Sequence, residues 1–168
     1  MDYDLIGQPT PSDLLIEAGR KIGVPSITQT PPHPFMMEQA LKQATYQADT
    51  DILGHQHFDC RSAETMKQFP GCSVSEICAE SWEGQSAAES ADDAYKCWRQ
   101  SPGHWKECNA PHSYYGYAMV QSRRTGIWYS CGHFCDGVTT VNPTPLIPTP
   151  TPEPNHGWLW RLFHRKGN

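Results

Sequence analysis

From Asn142 onward, prolines stand at positions 143, 145, 148, 150, 152 and 154, with threonine recurring between them. Each proline fixes its own φ and removes an amide donor, so neither a helix interior nor a central strand can run through such a stretch. It reads as a stiff, extended linker. A core must therefore come from the residues before it, and about 136 residues are enough for one domain with a real interior. This divides the 168-residue chain into a lead-in (1–11), a folded domain (12–136), a Pro/Thr-rich linker (137–154) and a terminal segment (155–168).

Charge separates the parts further. The chain has a net charge of −5 from 13 basic and 18 acidic groups. Residues 155–168 hold Arg161, Arg165 and Lys166 and no acid, so the remainder carries 10 basic against 18 acidic groups, or −8. An acidic body argues against nucleic acid as a partner. Met1-Asp2-Tyr3-Asp4 is acidic and no apolar stretch follows it, so no export signal is expected, and no run approaches the length of a membrane span. The sequence does not specify a compartment.

Within 12–136 the apolar period is first helical and then alternating. Ser12 reads as an N-cap, with Leu14, Leu15, Ala18 and Ile22 on one face and Gly23 as the stop. Pro34 suits the first turn of a second helix, predicted to reach about Leu53. Its apolar stripe is Met37, Leu41, Ala44, Ala48 and Ile52, opposite Glu38, Lys42, Gln43 and Asp49. A short helix is predicted over 62–68, closed by Pro70-Gly71, while 74–82 has no decisive period. Ser86 and Glu89 form a capping box for a helix with Ala87, Ala91, Ala94 and Trp98 on one face. Ser101-Pro102-Gly103 should stop it, leaving one helical turn over 105–109. Tyr114–Gln121 and Ile127–Phe134 read as strands joined by a hairpin loop at Arg123-Arg124-Thr125-Gly126. Helices first and a terminal hairpin last predict an α+β fold.

The Ser-Pro-Gly turn presents His104 between Trp98 and Trp105. Read alone, this is a helix end with its histidine against aromatics. Four features together resemble the CAP superfamily (SCP-like domains: cysteine-rich secretory, antigen 5 and pathogenesis-related proteins), in its short bacterial form. They are His55-Gln56-His57-Phe58 after an amphipathic helix, Ser75-Glu76-Ile77-Cys78-Ala79, the alanine-rich helix ending in Trp98-x-x-Ser101-Pro102-Gly103-His104, and the pair Tyr115-Gly116-Tyr117-Ala118 and Gly126-Ile127-Trp128-Tyr129. The resemblance covers roughly 12–136. It implies an α-β-α sandwich around an antiparallel sheet, and a cleft of two histidines and two acids that holds a divalent metal in some members. Carried over by motif, the cleft groups are His55, Glu76 and His104, with His57 and Glu80 as alternates. Trp98, Ser101 and Trp105 would support them. The fourth family position falls on Ser101, which cannot supply a carboxylate.

Two imidazoles and one carboxylate match a catalytic zinc shell in ligand type, so zinc is a candidate cofactor, though none is required. No catalytic residue is assigned. Gly-x-Ser-x-Gly is absent, and no cysteine–histidine signature is seen. The favoured expectation is therefore a noncatalytic binding module. The alternative is a peptidase-like hydrolase, metal-dependent or not, with His55 or His104 as general base.

Seven cysteines leave at least one unpaired and permit up to three bridges. Cys72 and Cys78 flank a compact segment and are a candidate pair. Cys131 and Cys135 lie about 13 Å apart on an extended strand, too far for one metal or one bond. At the other end, Trp158, Leu159, Trp160, Leu162 and Phe163 place five apolar residues in six positions around Arg161. Tryptophan is the residue type most enriched at binding hot spots. A protein partner or larger assembly is the expected receiver of this tail, ahead of the chain's own domain and of a membrane surface.

Overall fold

The structure, a computed structural model, describes residues 8–28 and 31–137. The 155–168 tail, nearly all of the linker and the start of the lead-in lie outside the described residues. The fold is α+β, with six helices and three strands among the described residues: α1 (Pro11–Ile22), α2 (Pro25–Thr28), α3 (Pro34–Thr50), α4 (Phe58–Gln68), β1 (Ser73–Glu80), α5 (Ala87–Gln100), α6 (Pro102–Asn109), β2 (Tyr114–Gln121) and β3 (Trp128–Asp136). Among these residues no helix is long and apolar enough to cross a membrane.

The local chemistry of each end explains most boundaries. Thr10, not Ser12, caps α1: its hydroxyl accepts from the Asp13 amide while the Asp13 carboxylate takes the Thr10 amide. Pro11 then fills the first helical position, where no donor is needed. Ser86 and Glu89 close the expected capping box on α5. The Ser-Pro-Gly element breaks the helix for only one residue. Ser101 is extended, and Pro102 restarts the chain as the first residue of α6. The helix α4 begins at Phe58, four residues earlier than the pattern predicts, because His57 turns the chain at φ 60. The undecided stretch is the edge strand β1, and β3 runs on to Asp136.

The sheet order is β1-β3-β2, and both pairings are antiparallel. Its two faces differ in kind. Ile77, Ala79, Tyr115, Tyr117, Met119 and Phe134 face α1 and α5, where they pack with Leu15, Ala91, Tyr95 and Trp98. Tyr95, Trp98 and Tyr117 form an aromatic cluster with centroids 5.0–6.2 Å apart. Gly132 leaves the space that these rings fill: a Cβ there would sit 2.8 Å from the Tyr117 ring and 2.9 Å from Phe134.

The other face meets α3 and α4. Here α3 lies directly on β2, since a Cβ on Gly116 would come within 2.2 Å of the Met36–Met37 peptide. The buried face of α3 keeps Ala44, Ala48 and the partly buried Met37 of the expected stripe and loses the rest, and the helix ends at Thr50 instead of near Leu53. Leu41 and Ile52 are 47% and 48% exposed, whereas Gln39, Gln43 and Gln47 are fully buried beside Ala40, Ala44 and Ala48. The glutamines are admitted because their amides find acceptors: Gln39 donates to Glu64, and Gln43 and Gln47 both donate to the Gly54 carbonyl.

Candidate functional site

The site grows from Glu76, in the middle of β1 on the α3–α4 side of the sheet. Strand alternation points its carboxylate inward, to 1% exposure. A lone carboxylate there would be very unfavourable. Arg61, one turn into α4, answers it in a bidentate pair, Nε to Oε2 and Nη2 to Oε1 at 2.9 Å each. The third guanidinium nitrogen donates to the Gln56 carbonyl at 2.8 Å and so fixes the loop that carries His55. Thr65 follows Arg61 by four residues on the same face of α4. Its hydroxyl donates back to the Arg61 carbonyl at 2.8 Å and lies 3.0 Å from His133 Nε2. With the hydroxyl proton so used, His133 Nε2 must be the donor in that contact. His133 stands opposite Glu76 on β3, with Nδ1 3.4 Å from Oε2 and outside hydrogen-bond geometry.

His55 approaches the same carboxylate from solvent. Its Nδ1 is 3.1 Å from Glu76 Oε1 and 3.7 Å from Cys78 Sγ, and its side chain is 44% exposed. His104, in the first turn of α6, brings its ring to 5.9 Å from that of His55. The structure therefore gathers His55, Glu76 and His104 at one sheet edge, from a loop, a strand and a helix.

The electrostatics follow from these contacts. Burial would raise the Glu76 pKa, but the contacts with His133, His55 and Arg61 hold it down at about 2. The sulfur of Cys78 and then the carboxylate of Glu76 raise His55 to about 10. Contact with the Cys131 thiol lowers Cys78 against its own burial, and His55 lowers it further. Burial lowers His104, and the charge on His55 adds to this. The contacts thus push the two imidazoles apart, His55 toward its cationic form and His104 toward its neutral one.

The other sequence-derived candidates lie around this centre. His57 turns its ring onto Tyr46 instead, at 4.9 Å. Glu80 ends β1 and is exposed. Trp98 is buried in the aromatic cluster on the opposite sheet face, Ser101 joins α5 to α6, and Trp105 lies under the Arg99 guanidinium at 4.6 Å. The tail residues Trp158 to Phe163 lie outside the described residues. Sequence reasoning missed Arg61, Thr65, Cys78 and His133. Two period arguments could have found them: the i,i+4 spacing of Arg61 and Thr65, and the alternation that puts His133 on the same face as Cys131.

Among the described residues, two groups of side chains have the ligand types and spacing for a metal ion: His55, Glu76 and Cys78, and Glu107, His112 and Asp136. In the second, His112 is occupied at both nitrogens, by Asp136 Oδ2 at 2.9 Å and by the Glu107 carbonyl at 2.7 Å. It works as a brace between the end of α6 and the end of β3. In the first, Arg61 already neutralises both Glu76 oxygens, which favours the carboxylate as the group that orients His55 over direct metal ligation. No family model matches the sequence, and no curated protein is detectably similar to it.

Proposed function

We propose that residues 12–136 form a CAP-like, noncatalytic binding module, and that the aromatic-basic tail docks it to a protein partner or larger assembly. The observation that carries this reading is His55 held between Glu76 on one side and His104 on the other. The three residues are far apart in sequence, and they are the groups that the CAP resemblance names. The layering of helices on both sheet faces fits the α-β-α sandwich of that superfamily. On this reading the groove takes a divalent cation such as zinc through the imidazoles of His55 and His104, with Glu76 fixing the His55 ring. The donor types fit on one condition: His104 is held toward its neutral, ligating form and a thiol lies alongside, whereas His55, raised to about 10, becomes a ligand only when the metal displaces its proton while Glu76 keeps the ring oriented. Zinc would supply a Lewis-acid centre for a ligand carboxylate or carbonyl.

A noncatalytic role is favoured by the state of Glu76. A carboxylate held near pKa 2 and chelated by Arg61 is a weak base at neutral pH. Ser101, at the fourth family position, offers no substitute.

Thermal melting of the intact chain against zinc tests the groove. A ligand at a hundred times its Kd stabilises the folded state by about 2.7 kcal/mol. The melting temperature should rise with zinc, and the rise should vanish in His104→Ala; a flat titration of the intact chain removes zinc from the proposal. Peptide or ester turnover lost on His55→Ala or Glu76→Ala would replace binding with hydrolysis. For the tail, deletion of residues 155–168 should abolish co-purification with the assembly. Unchanged association, with a lowered melting temperature of the monomer, would place the tail on its own domain instead.

A further inference from the structure

We infer that Cys78 and Cys131 are an oxidisable pair, which hydrogen peroxide closes into a disulfide joining β1 to β3 directly beneath His55. The inference rests on strand register and does not depend on metal binding in the groove.

Cys78 and Cys131 are direct partners in the β1–β3 ladder. The type of pair can be read from the strand end. Ser81 follows Glu80, the partner of Tyr129, and its amide donates to the Trp128 carbonyl at 2.8 Å, which marks a hydrogen-bonded position. Hydrogen-bonded and non-hydrogen-bonded pairs alternate along an antiparallel ladder. Counting back three positions, Cys78 and Cys131 occupy a non-hydrogen-bonded pair. That is the closer kind, with Cα atoms about 4.5 Å apart, inside the range that a disulfide spans. Both side chains point to the α3 face, where Ala40, Ala44 and Ala118 leave the sulfurs room. The two thiols lie in one buried cluster and perturb each other's titration.

Access is unequal, and this sets the order of events. Cys131 is fully buried, whereas Cys78 is 6% exposed and borders the half-exposed His55. A small hydroperoxide fits that opening better than a bulky disulfide. The Cys78 sulfur attacks one peroxide oxygen, the O–O bond breaks, and a sulfenic acid and one water form. The Cys131 sulfur then attacks the Cys78 sulfur, the S–O bond breaks, and a second water leaves. Two thiols lose two electrons and two protons, and one peroxide becomes two waters. The product withdraws the Cys78 sulfur from His55, so oxidation changes the floor of the groove.

A second thiol contact, Cys72 with Cys135, lies nearby on the same sheet face. Cys72 precedes β1 and has no register partner. The test must therefore resolve the two pairs, and cleavage after Glu76, Glu80, Arg124 and Phe134 separates all four cysteines. The reduced full-length chain is treated with hydrogen peroxide, its remaining thiols are alkylated under denaturing conditions, and the peptides are mapped by mass. The expected result is a linked pair containing Cys78 and Cys131 that dithiothreitol releases. In Cys131→Ser, Cys78 should stop at the sulfenic acid and take up dimedone. In Cys78→Ser, Cys131 should remain fully alkylated. The wild-type map needs no variant to fold. Cys78 and Cys131 both recovered as alkylated thiols, or Cys78 joined to any other cysteine, overturns the inference.

Discussion

The two faces of the sheet solve opposite problems. The face toward α1 and α5 buries Trp98, Tyr95, Tyr117 and Phe134, and its stability comes from area removed from water and from dense packing. The face toward α3 and α4 buries Glu76, Arg61, His133, Thr65 and three glutamines. Little is gained there by burial as such, and each side chain is tolerated because at least one of its polar atoms is met, although Oε1 of each glutamine and Nδ1 of His133 have no partner. One sheet can carry both because side chains alternate across it, so residues two apart share a face and neighbours do not. The lesson is that the apolar face holds the fold and the polar face holds the chemistry, and the two should fail in different ways.

Paired truncations break the comparison most sharply. Trp98→Ala should cost about 3–5 kcal/mol, and no single partner change should restore it, because the loss is a cavity. Arg61→Met should cost a similar 3–5 kcal/mol by stranding the Glu76 carboxylate. Adding Glu76→Leu should recover most of that loss, because the uncompensated charge is then gone. Urea denaturation of the three variants checks this. A double variant as unstable as Arg61→Met alone would mean that the polar face is held by packing after all.

Acid comes next in size. The Glu76 pKa is depressed from 4.5 to about 2 in the fold, so its contribution is fully present above the ordinary carboxylate range and is lost as pH falls through about 2. A shift of that size corresponds to roughly 3 kcal/mol. Stability should therefore fall between about pH 4.5 and 2, and Glu76→Gln should flatten that limb. An equally steep limb in the variant would assign it to other carboxylates. His55 works with the opposite sign and less strongly. Its pKa is raised from 6.5 to about 10, so its contribution is complete below 6.5 and disappears as pH rises toward 10. With nearly half its side chain in solvent, screening keeps this under about 1 kcal/mol. His55→Ala should remove this shallow alkaline limb and weaken the acid one without abolishing it, since Arg61 still holds the Glu76 carboxylate down.

The same contrast explains what could be read in the sequence. The helix α5 was legible because a capping box and an alanine–tryptophan period agree. The strand β2 was legible because its aromatic residues alternate. Both belong to the apolar face. The polar face defeated the same reasoning. In β1, Ser75, Glu76 and Cys78 hide a buried strand, and the exposed Leu41 in α3 and Ile52 just past its end complete a better apolar stripe than the true buried face. Gln43, placed among the solvent-facing residues on polarity, is buried because Gly54 offers it a carbonyl. That partner is eleven residues away and set by a turn, so no local period contains it. His55, Glu76 and His104 were picked out by resemblance alone, since nothing in their spacing brings them together. Arg61 and His133 had no such guide.

The smallest effect is the most discriminating for the polar face. Gln47 donates to the Gly54 carbonyl at a long 3.3 Å, while its own Oε1 is buried with no partner. Methionine has nearly the same length and shape and no amide. Gln47→Met removes a weak hydrogen bond, typically about 0.5–1.5 kcal/mol, but also an unsatisfied acceptor whose burial costs about 1–3 kcal/mol. Gly54 keeps its bond from Gln43, so nothing new is orphaned. The sum favours the variant slightly, by up to about 1 kcal/mol. Gln43→Met differs in one respect. It gives up the better of the two Gly54 bonds, so the variant should be the less stable of the pair. Denaturation midpoints measured side by side resolve that order. If Gln47→Met instead destabilises by more than about 1 kcal/mol, Oε1 is being met by an ordered water, and the polar face is held by hydrogen bonds at that position too.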